Sequence, residues 1–265
     1  MLNDLLSLDR ISTIAHRGGS KLRPENTVAA FDHALSLAVD AMECDVHLSR
    51  DGEVVVIHDA TLERTTNARG PVAARTAGEL ARLDAGFHYR PADGYPFRAR
   101  GIGVPTLRDV LTRYPGSPFV VEVKGDDPTV ALRTVAVIGE AGATSRVILG
   151  GFNQTVLDAA RRQAPELATS ASRQEARAAL TRSYFFLGPR RTGFHVFQMP
   201  FRLRGRQMFR RSFVRVMRRA GVPVQAWIVD EADDMRRLID WGVTGIISDR
   251  PDVAVRIIQA LGARR

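Results

Sequence analysis

The chain has 265 residues, 45% of them hydrophobic, which is enough for one domain with a substantial core. A single cysteine excludes an internal disulfide framework, and no apolar run reaches the roughly 18 residues that a membrane span requires. The formal charge of +9 invites an anionic partner, but it comes almost wholly from arginine, and no recognition pattern accompanies it, so nucleic acid is not expected.

The opening stretch, MLNDLLSLDR, contains Asp4 and Asp9 and no basic region, so no secretory leader is expected and a cytoplasmic location is the default. ISTIAHRGG (11–19) reads as a strand running into a loop. ENTVAAFDHALSLAVD (25–40) has helical apolar spacing. AMECDVHL (41–48) and EVVVIHD (53–59) are extended and joined by a turn at Asp51-Gly52. Residues 60–104 are rich in Gly, Pro, Arg and Thr and read as an insertion. SPFVVEVKG (117–125) is a strand, and DPTVALRTVAVIGEAG (127–142) is a helix with Pro128 near its start and Gly142 at its end. After that, strand and helix alternate: RVILGGF, NQTVLDAARRQA, ELATSAS, SRQEARAALTR, FHVFQMP, GRQMFRRSFVRVMRRAG (205–221), VPVQAWIVD, EADDMRRLIDWG, VTGIISD and RPDVAVRIIQALG.

With the 42–59 hairpin taken as one unit, this is an α/β pattern of eight strands, each followed by a helix except the second, which is followed by the insertion. It predicts a single-domain TIM-type (β/α)8 barrel over 1–265, with a small insertion after the second strand at about 60–104. The competing open doubly wound sheet finds no G-x-G-x-x-G or Walker A sequence to support it.

Active sites of such barrels sit at the carboxyl ends of the strands. The first strand ends at His16 and Arg17, the second region supplies Glu43, Asp45 and His58, the third ends at Glu122 and Lys124, and the seventh ends at Trp227. Residues i and i+2 of a strand share a face at a separation of about 6.5 Å, so Glu43 and Asp45 can converge on one ion that Glu122 reaches from the next strand. Three packed carboxylates repel unless a cation joins them, and an all-oxygen donor set suits Mg2+ or Ca2+. Arg17 and Lys124 beside it form a trap for a phosphodiester anion, and His16 and His58 can move protons on either side of it. Residue chemistry alone leads to metal-assisted phosphodiester hydrolysis. Trp227 is read as a substrate wall, and Cys44 as a small buried filler on the helix-facing side of its strand. Pro24-Glu25-Asn26-Thr27 reads as a helix start that also orients Arg17 through Glu25. Asp249-Arg250-Pro251-Asp252 reads as a salt-bridged turn closing the barrel, and His47 as a supporting residue behind the site. His33, His88 and His195 receive no role.

At these residues the chain resembles the glycerophosphodiester phosphodiesterase family. The resemblance is carried by AHRGGSKLRPENTVAAF, ECDVHLSRDGEVVVIHD, LERTTNARG, VEVK and WGVTGIISDRPD, and it covers about residues 11–258. It implies hydrolysis of glycerophosphodiesters to glycerol 3-phosphate and an alcohol, with His16 and His58 as general acid and base. It also implies Mg2+ or Ca2+ on Glu43, Asp45 and Glu122, and phosphate contacts from Arg17 and Lys124. The implied mechanism has the glycerol 2-hydroxyl attack phosphorus, giving a cyclic phosphate that water opens. The chain departs from the family's W-T-V-N at Ile228 and Asp230.

Thirteen arginines and one acidic residue, Glu175, lie between Arg173 and Arg219. The stretch Arg202–Arg219, with Phe201, Met208, Phe209 and Phe213 as apolar partners, is the candidate for peripheral contact with an anionic membrane. Two alternatives to the diesterase follow from it: a lysophospholipase D acting on membrane lysophospholipids, and a non-catalytic barrel that binds anionic membrane.

Overall fold

The structure, a computed structural model, describes residues 2–190 and 193–262. Its strands in chain order are β1 (Ser12–Ala15), β2 (Ala41–Leu48), β3 (Val54–Val56), β4 (Phe119–Val123), β5 (Val147–Gly151), β6 (Ala168–Thr169), β7 (Phe197–Pro200), β8 (Arg202–Leu203), β9 (Arg206–Gln207), β10 (Val224–Trp227) and β11 (Gly245–Ser248). Its helices are α1 (Leu2–Leu5), α2 (Val28–Ser36), α3 (Ala77–Ala81), α4 (Leu107–Arg113), α5 (Pro128–Glu140), α6 (Gln154–Gln163), α7 (Arg173–Ser183), α8 (Arg211–Arg219), α9 (Ala232–Trp241) and α10 (Pro251–Gly262).

The eight parallel strands run β6-β5-β4-β2-β1-β11-β10-β7, and β3 pairs antiparallel with β2. The sheet curls until its two edge strands meet. A parallel bridge between Ser170 and Val196 joins them, supported by Ala171 N–H donating to Val196 O at 2.9 Å and His195 N–H donating to Thr169 O at 2.8 Å. This is the (β/α)8 barrel that the alternation predicts.

Alternation along each strand separates two environments. Met42, Cys44 and Val46 of β2 face outward and pack with Val121 and Val123 of β4 against α4 and α5. Ile14, Val120, Ile148 and Ile247 face inward and, with Leu5 of α1, fill the barrel. The polar residues of the site occupy inward positions above this plug. Between β3 and α4, residues Ile57, Leu62, Val72, Leu80 and Val104 bury against Val55 as a small separate apolar cluster.

Two elements differ from the sequence expectation. The helix expected over 205–221 begins only at Arg211. Before it, Arg204 and Gly205 take positive φ angles of 50° and 77° and turn the chain into the β8–β9 hairpin. The strand expected over 166–172 is regular only at Ala168–Thr169, because Ser172 is already committed to capping α7. Its side chain accepts from Glu175 N–H and Glu175 returns the bond, a reciprocal capping box.

One expected set of membrane partners is corrected. Phe201, Phe209 and Phe213 are 1–2% exposed. They stack edge-on or tilted among themselves and with Trp241 in the core under α8 and α9. Side chains held inside the protein cannot enter a bilayer.

Candidate active site

The strand register gathers the predicted residues. Asp45 of β2 lies opposite Glu122 of β4, and Glu43 opposite Val120, in a parallel ladder whose opposed residues share a face. Ligand oxygens of Glu43, Asp45 and Glu122 all lie within 4.8 Å of one another. Glu43 is 4% exposed and Asp45 1%. Burial first, and then the charge on Asp45, push the Glu43 carboxyl up to about 8. Lys124, two residues beyond Glu122 and therefore on the same face, puts its ammonium on Glu122 and 2.8 Å from Asp45 Oδ1. Burial also works against charge on Asp45, but Lys124 and Arg17 outweigh it and hold that carboxyl below its ordinary value.

The turn after β1 is built by backbone strain and close approach. Arg17 takes a left-handed φ of 52°. Gly18 follows with φ 79°, and a Cβ there would sit 2.6 Å from Ala30 Cβ, so only glycine fits. The turn lets Arg17 N–H donate to Glu43 Oε2 at 2.8 Å and brings its guanidinium over Asp45. Arg17 Nε is 3.0 Å from Asp45 Oδ2 as an ion pair without hydrogen-bond alignment, while Nη1 donates to Glu25 Oε1 at 2.8 Å. Glu25 also accepts from both terminal nitrogens of Arg64, at 2.7 and 2.8 Å, so the expected link from Glu25 to Arg17 exists within a larger network. Thr27 caps α2. Asn26 instead serves the site: its amide donates to Asp45 Oδ2 at 2.9 Å, and its carbonyl accepts from Asp45 N–H at 3.2 Å.

Each histidine is tied to its own carboxylate. His16 Nδ1 is 2.6 Å from Asp249 Oδ1, and His58 Nδ1 is 2.6 Å from Asp59 Oδ1. This contact sets the tautomer: Nδ1–H donates, which leaves Nε2 free to accept or give a proton. His16 Nε2 is 3.9 Å from Glu43 Oε2. Burial disfavours charge on His16, but Glu43 and the Asp249 hydrogen bond outweigh it and hold its pKa above the ordinary value. Arg64 donates to Asp59 at 2.6 Å, and this bond above all draws Asp59 down to about 2. His47 Nε2 is 3.0 Å from His58 O, a position behind that histidine.

Asp249 and Asp59 are the residues that the sequence reading missed. Asp249 could have been found from register. Ile14 pairs with Ile247, so two residues further on His16 meets Asp249. The turn expected at Asp249–Asp252 does hold an ion pair, Arg250 with Asp252 at 2.9 Å, but Asp249 itself points at His16. Asp230, one of the departures in the W-I-V-D stretch, accepts from Asp249 N–H at 2.9 Å and Ser248 Oγ at 2.8 Å, and sits 2.8 Å from Lys21 Nζ. It fixes the backbone that carries Asp249.

A cavity of about 390 Å3 opens at this end of the barrel. One half is lined by His16, Arg17, Glu43, Asp45, His58, Glu122 and Lys124, and the other is mainly apolar, with Phe152, Leu180, Leu203, Met208, Trp227 and Ile228 beside Arg173, Arg177 and Gln198. Trp227, at the end of β10, meets Phe152 edge-on at 6.0 Å.

A (β/α)8 barrel with paired histidines, clustered carboxylates and two cations at the strand ends defines a class, the barrel phosphodiesterases. Within it, the Glycerophosphoryl diester phosphodiesterase family matches residues 16–253. A glycerophosphodiester phosphodiesterase of Caldanaerobacter subterraneus is 34% identical over 94% of this chain and 98% of its own length. One of Bacillus subtilis is 32% identical over 94% and 87%. Among solved structures, an Oleispira antarctica phosphodiesterase in complex with the product sn-glycerol-3-phosphate superposes with a TM-score of 0.77 at 25% identity, covering 95% of this chain and 98% of that one. The chain belongs to the glycerophosphoryl diester phosphodiesterase family and is a phosphoric diester hydrolase.

Proposed function

We propose that the enzyme cleaves glycerophosphodiesters to glycerol 3-phosphate and an alcohol, using His16 and His58 for proton transfer and one divalent cation, Mg2+ or Ca2+. The observation that carries this reading is the pair of histidines, each with Nδ1 2.6 Å from an aspartate, flanking three converging carboxylates. The donor set fits a hard divalent ion: all oxygen, two of three residues buried, and a Glu43 carboxyl that resists ionising without added positive charge. Glu43, Asp45 and Glu122 would hold the ion, which supplies charge to offset that developing on the phosphoryl oxygens.

The chain's own residues do the rest. Arg17 and Lys124 draw the phosphodiester anion into the polar half of the cavity. One histidine, neutral at Nε2, takes the proton of the attacking hydroxyl as its oxygen bonds to phosphorus. The other, protonated at Nε2, gives a proton to the leaving alkoxide as the second P–O bond breaks. Asp249 and Asp59 hold each imidazole in orientation and stabilise it when charged. In the order that family membership favours, the attacking hydroxyl is the glycerol 2-hydroxyl and the cyclic phosphate is opened by water with the histidine roles reversed.

A second reading keeps this chemistry and changes the substrate. The apolar half of the cavity, from Phe152 to Ile228, exceeds what a small polar head group needs and suits the acyl chain of a lysophospholipid. A relative at 26% identity is a lysophospholipase D of Mus musculus. The test follows product release from glycerophosphocholine and from lysophosphatidylcholine by the intact enzyme, His16→Ala and His58→Ala. Glycerol 3-phosphate release that each variant lowers by roughly 10²- to 10⁴-fold supports the proposal. Unchanged release in both variants refutes it, and turnover of the lysolipid alone selects the second reading.

A further inference from the structure

The apolar half of the cavity does not end at its mouth. Arg173, Ala176, Arg177 and Leu180 of α7 line it at helical spacing, facing Leu203 and Met208 across the opening. Tyr184 continues that spacing four residues after Leu180 and still has helical backbone angles. Tyr184, Phe185, Phe186 and Leu187 then stand 71, 72, 75 and 50% exposed, a run of four large apolar residues in solvent. Leu203, at the tip of the β8–β9 hairpin, is 50% exposed. Isolated exposed hydrophobics are ordinary, but a contiguous run marks an interaction surface.

The charge around it selects the occupant. Exposed arginines Arg177, Arg204, Arg206 and Arg210 surround the cavity mouth and hairpin and, among the described residues, form no ion pair. The one acidic residue of the stretch, Glu175, is turned inward and bound to Arg161. A second copy of this chain would set arginine against arginine across the contact, which opposes self-association. Aromatic side chains beside unpaired arginines suit the boundary of an anionic bilayer, where rings enter the acyl region and guanidinium groups meet phosphate.

We propose that the flank formed by residues 184–187, α7 and the β8–β9 hairpin docks the enzyme onto an anionic lipid bilayer, with the Ala176–Leu180–Tyr184 stripe leading from the lipid surface to the catalytic cavity. This places membrane contact on side chains that are exposed, in contrast to Phe201, Phe209 and Phe213. It holds whether the substrate is a soluble diester or a lipid.

The test is co-sedimentation of the full chain with vesicles of phosphatidylcholine, with and without phosphatidylglycerol. The variants are a fourfold change, Tyr184→Ser, Phe185→Ser, Phe186→Ser and Leu187→Ser, and separately Arg204→Glu with Arg206→Glu. None of these residues lines the cavity, so glycerophosphocholine turnover on the same preparations reports independently on folding and on the proposed reaction. The expected result is binding to the anionic vesicles only, weakened by high salt, and weakened about tenfold or more in either variant, with turnover retained. Absent binding, binding equal on neutral vesicles, or binding that neither variant reduces overturns the proposal. So does ultracentrifugation showing that residues 184–187 hold a dimer that ignores vesicles.

Discussion

The two sides of the barrel treat charge in opposite ways. Around β1, β2 and β4, Arg17, Lys124, Glu43, Asp45 and Glu25 are turned inward and tied into one connected network. Around β6 and β7 the arginines stand outside in solvent, and one buried pair, Arg161 with Glu175, fastens α6 to α7. Backbone pairing follows the same division. Five residue pairs join β2 to β4, whereas among the described residues one bridge, Ser170 with Val196, joins the closing edges. A chain places charge inside only where opposite charge or hydrogen bonds compensate desolvation. The side around β1, β2 and β4 meets that requirement with its connected network of ion pairs and hydrogen bonds. On the other side Arg177, Arg204, Arg206 and Arg210 stay in solvent without an ion pair among the described residues, while Arg202 pairs with Asp234 at the surface.

Breaking the catalytic side should produce the largest effect. Asp249→Asn leaves His16 without the carboxylate that sets its tautomer, and kcat should fall by roughly 10²- to 10⁴-fold with little change in KM. Steady-state kinetics with glycerophosphocholine checks this, and a fall confined to KM would contradict it. The structural pair on the opposite side should matter for stability. Arg161→Ala abandons a Glu175 carboxylate in a largely buried place, and urea unfolding should show a loss of about 3–5 kcal/mol.

The catalytic side also carries a pH dependence. Asp59 is drawn down to about 2 from an ordinary 3.8, so its partners favour the ionised form in the folded state. Its stabilising contribution is complete above about pH 4 and disappears as pH falls toward 2. Asp59→Asn should therefore flatten the acid loss of stability within that window and leave the rest of the profile in place, as urea midpoints measured at successive pH values would show. The smallest effect belongs to the solvent-exposed arginines. Arg202 pairs with Asp234 at 2.9 Å with nearly half of its side chain exposed, and Arg202→Ala should shift stability by no more than about 0.5 kcal/mol.

The division also explains what could be read from the chain alone. His16, Arg17, Glu43, Asp45, His58, Glu122 and Lys124 were legible because strand periodicity and the end of each strand place them without knowledge of partners. Asp249 and Asp59 were not, since their role depends on which strand or turn meets which histidine. The helix start read at Pro24–Thr27 is capped by Thr27, but the left-handed φ of 58° at Asn26, which turns its amide to Asp45, has no signature in the local sequence. On the arginine-rich side, apolar spacing suggested a helix from 205, but the Arg204-Gly205 turn intervened. The same spacing could not separate the buried Phe201, Phe209 and Phe213 from the exposed Tyr184–Leu187 run, because burial there is decided by how α7, α8 and α9 pack and not by local sequence.

The measurement closest to the central claim is glycerol 3-phosphate release from glycerophosphocholine with Mg2+, with Ca2+ and with EDTA, by the intact enzyme and by Glu43→Ala. A metal site at Glu43, Asp45 and Glu122 predicts release that requires a divalent ion, stops in EDTA, returns when the ion is restored, and is absent from the variant under every condition. Release that persists in EDTA, or that Glu43→Ala retains in full, would contradict it.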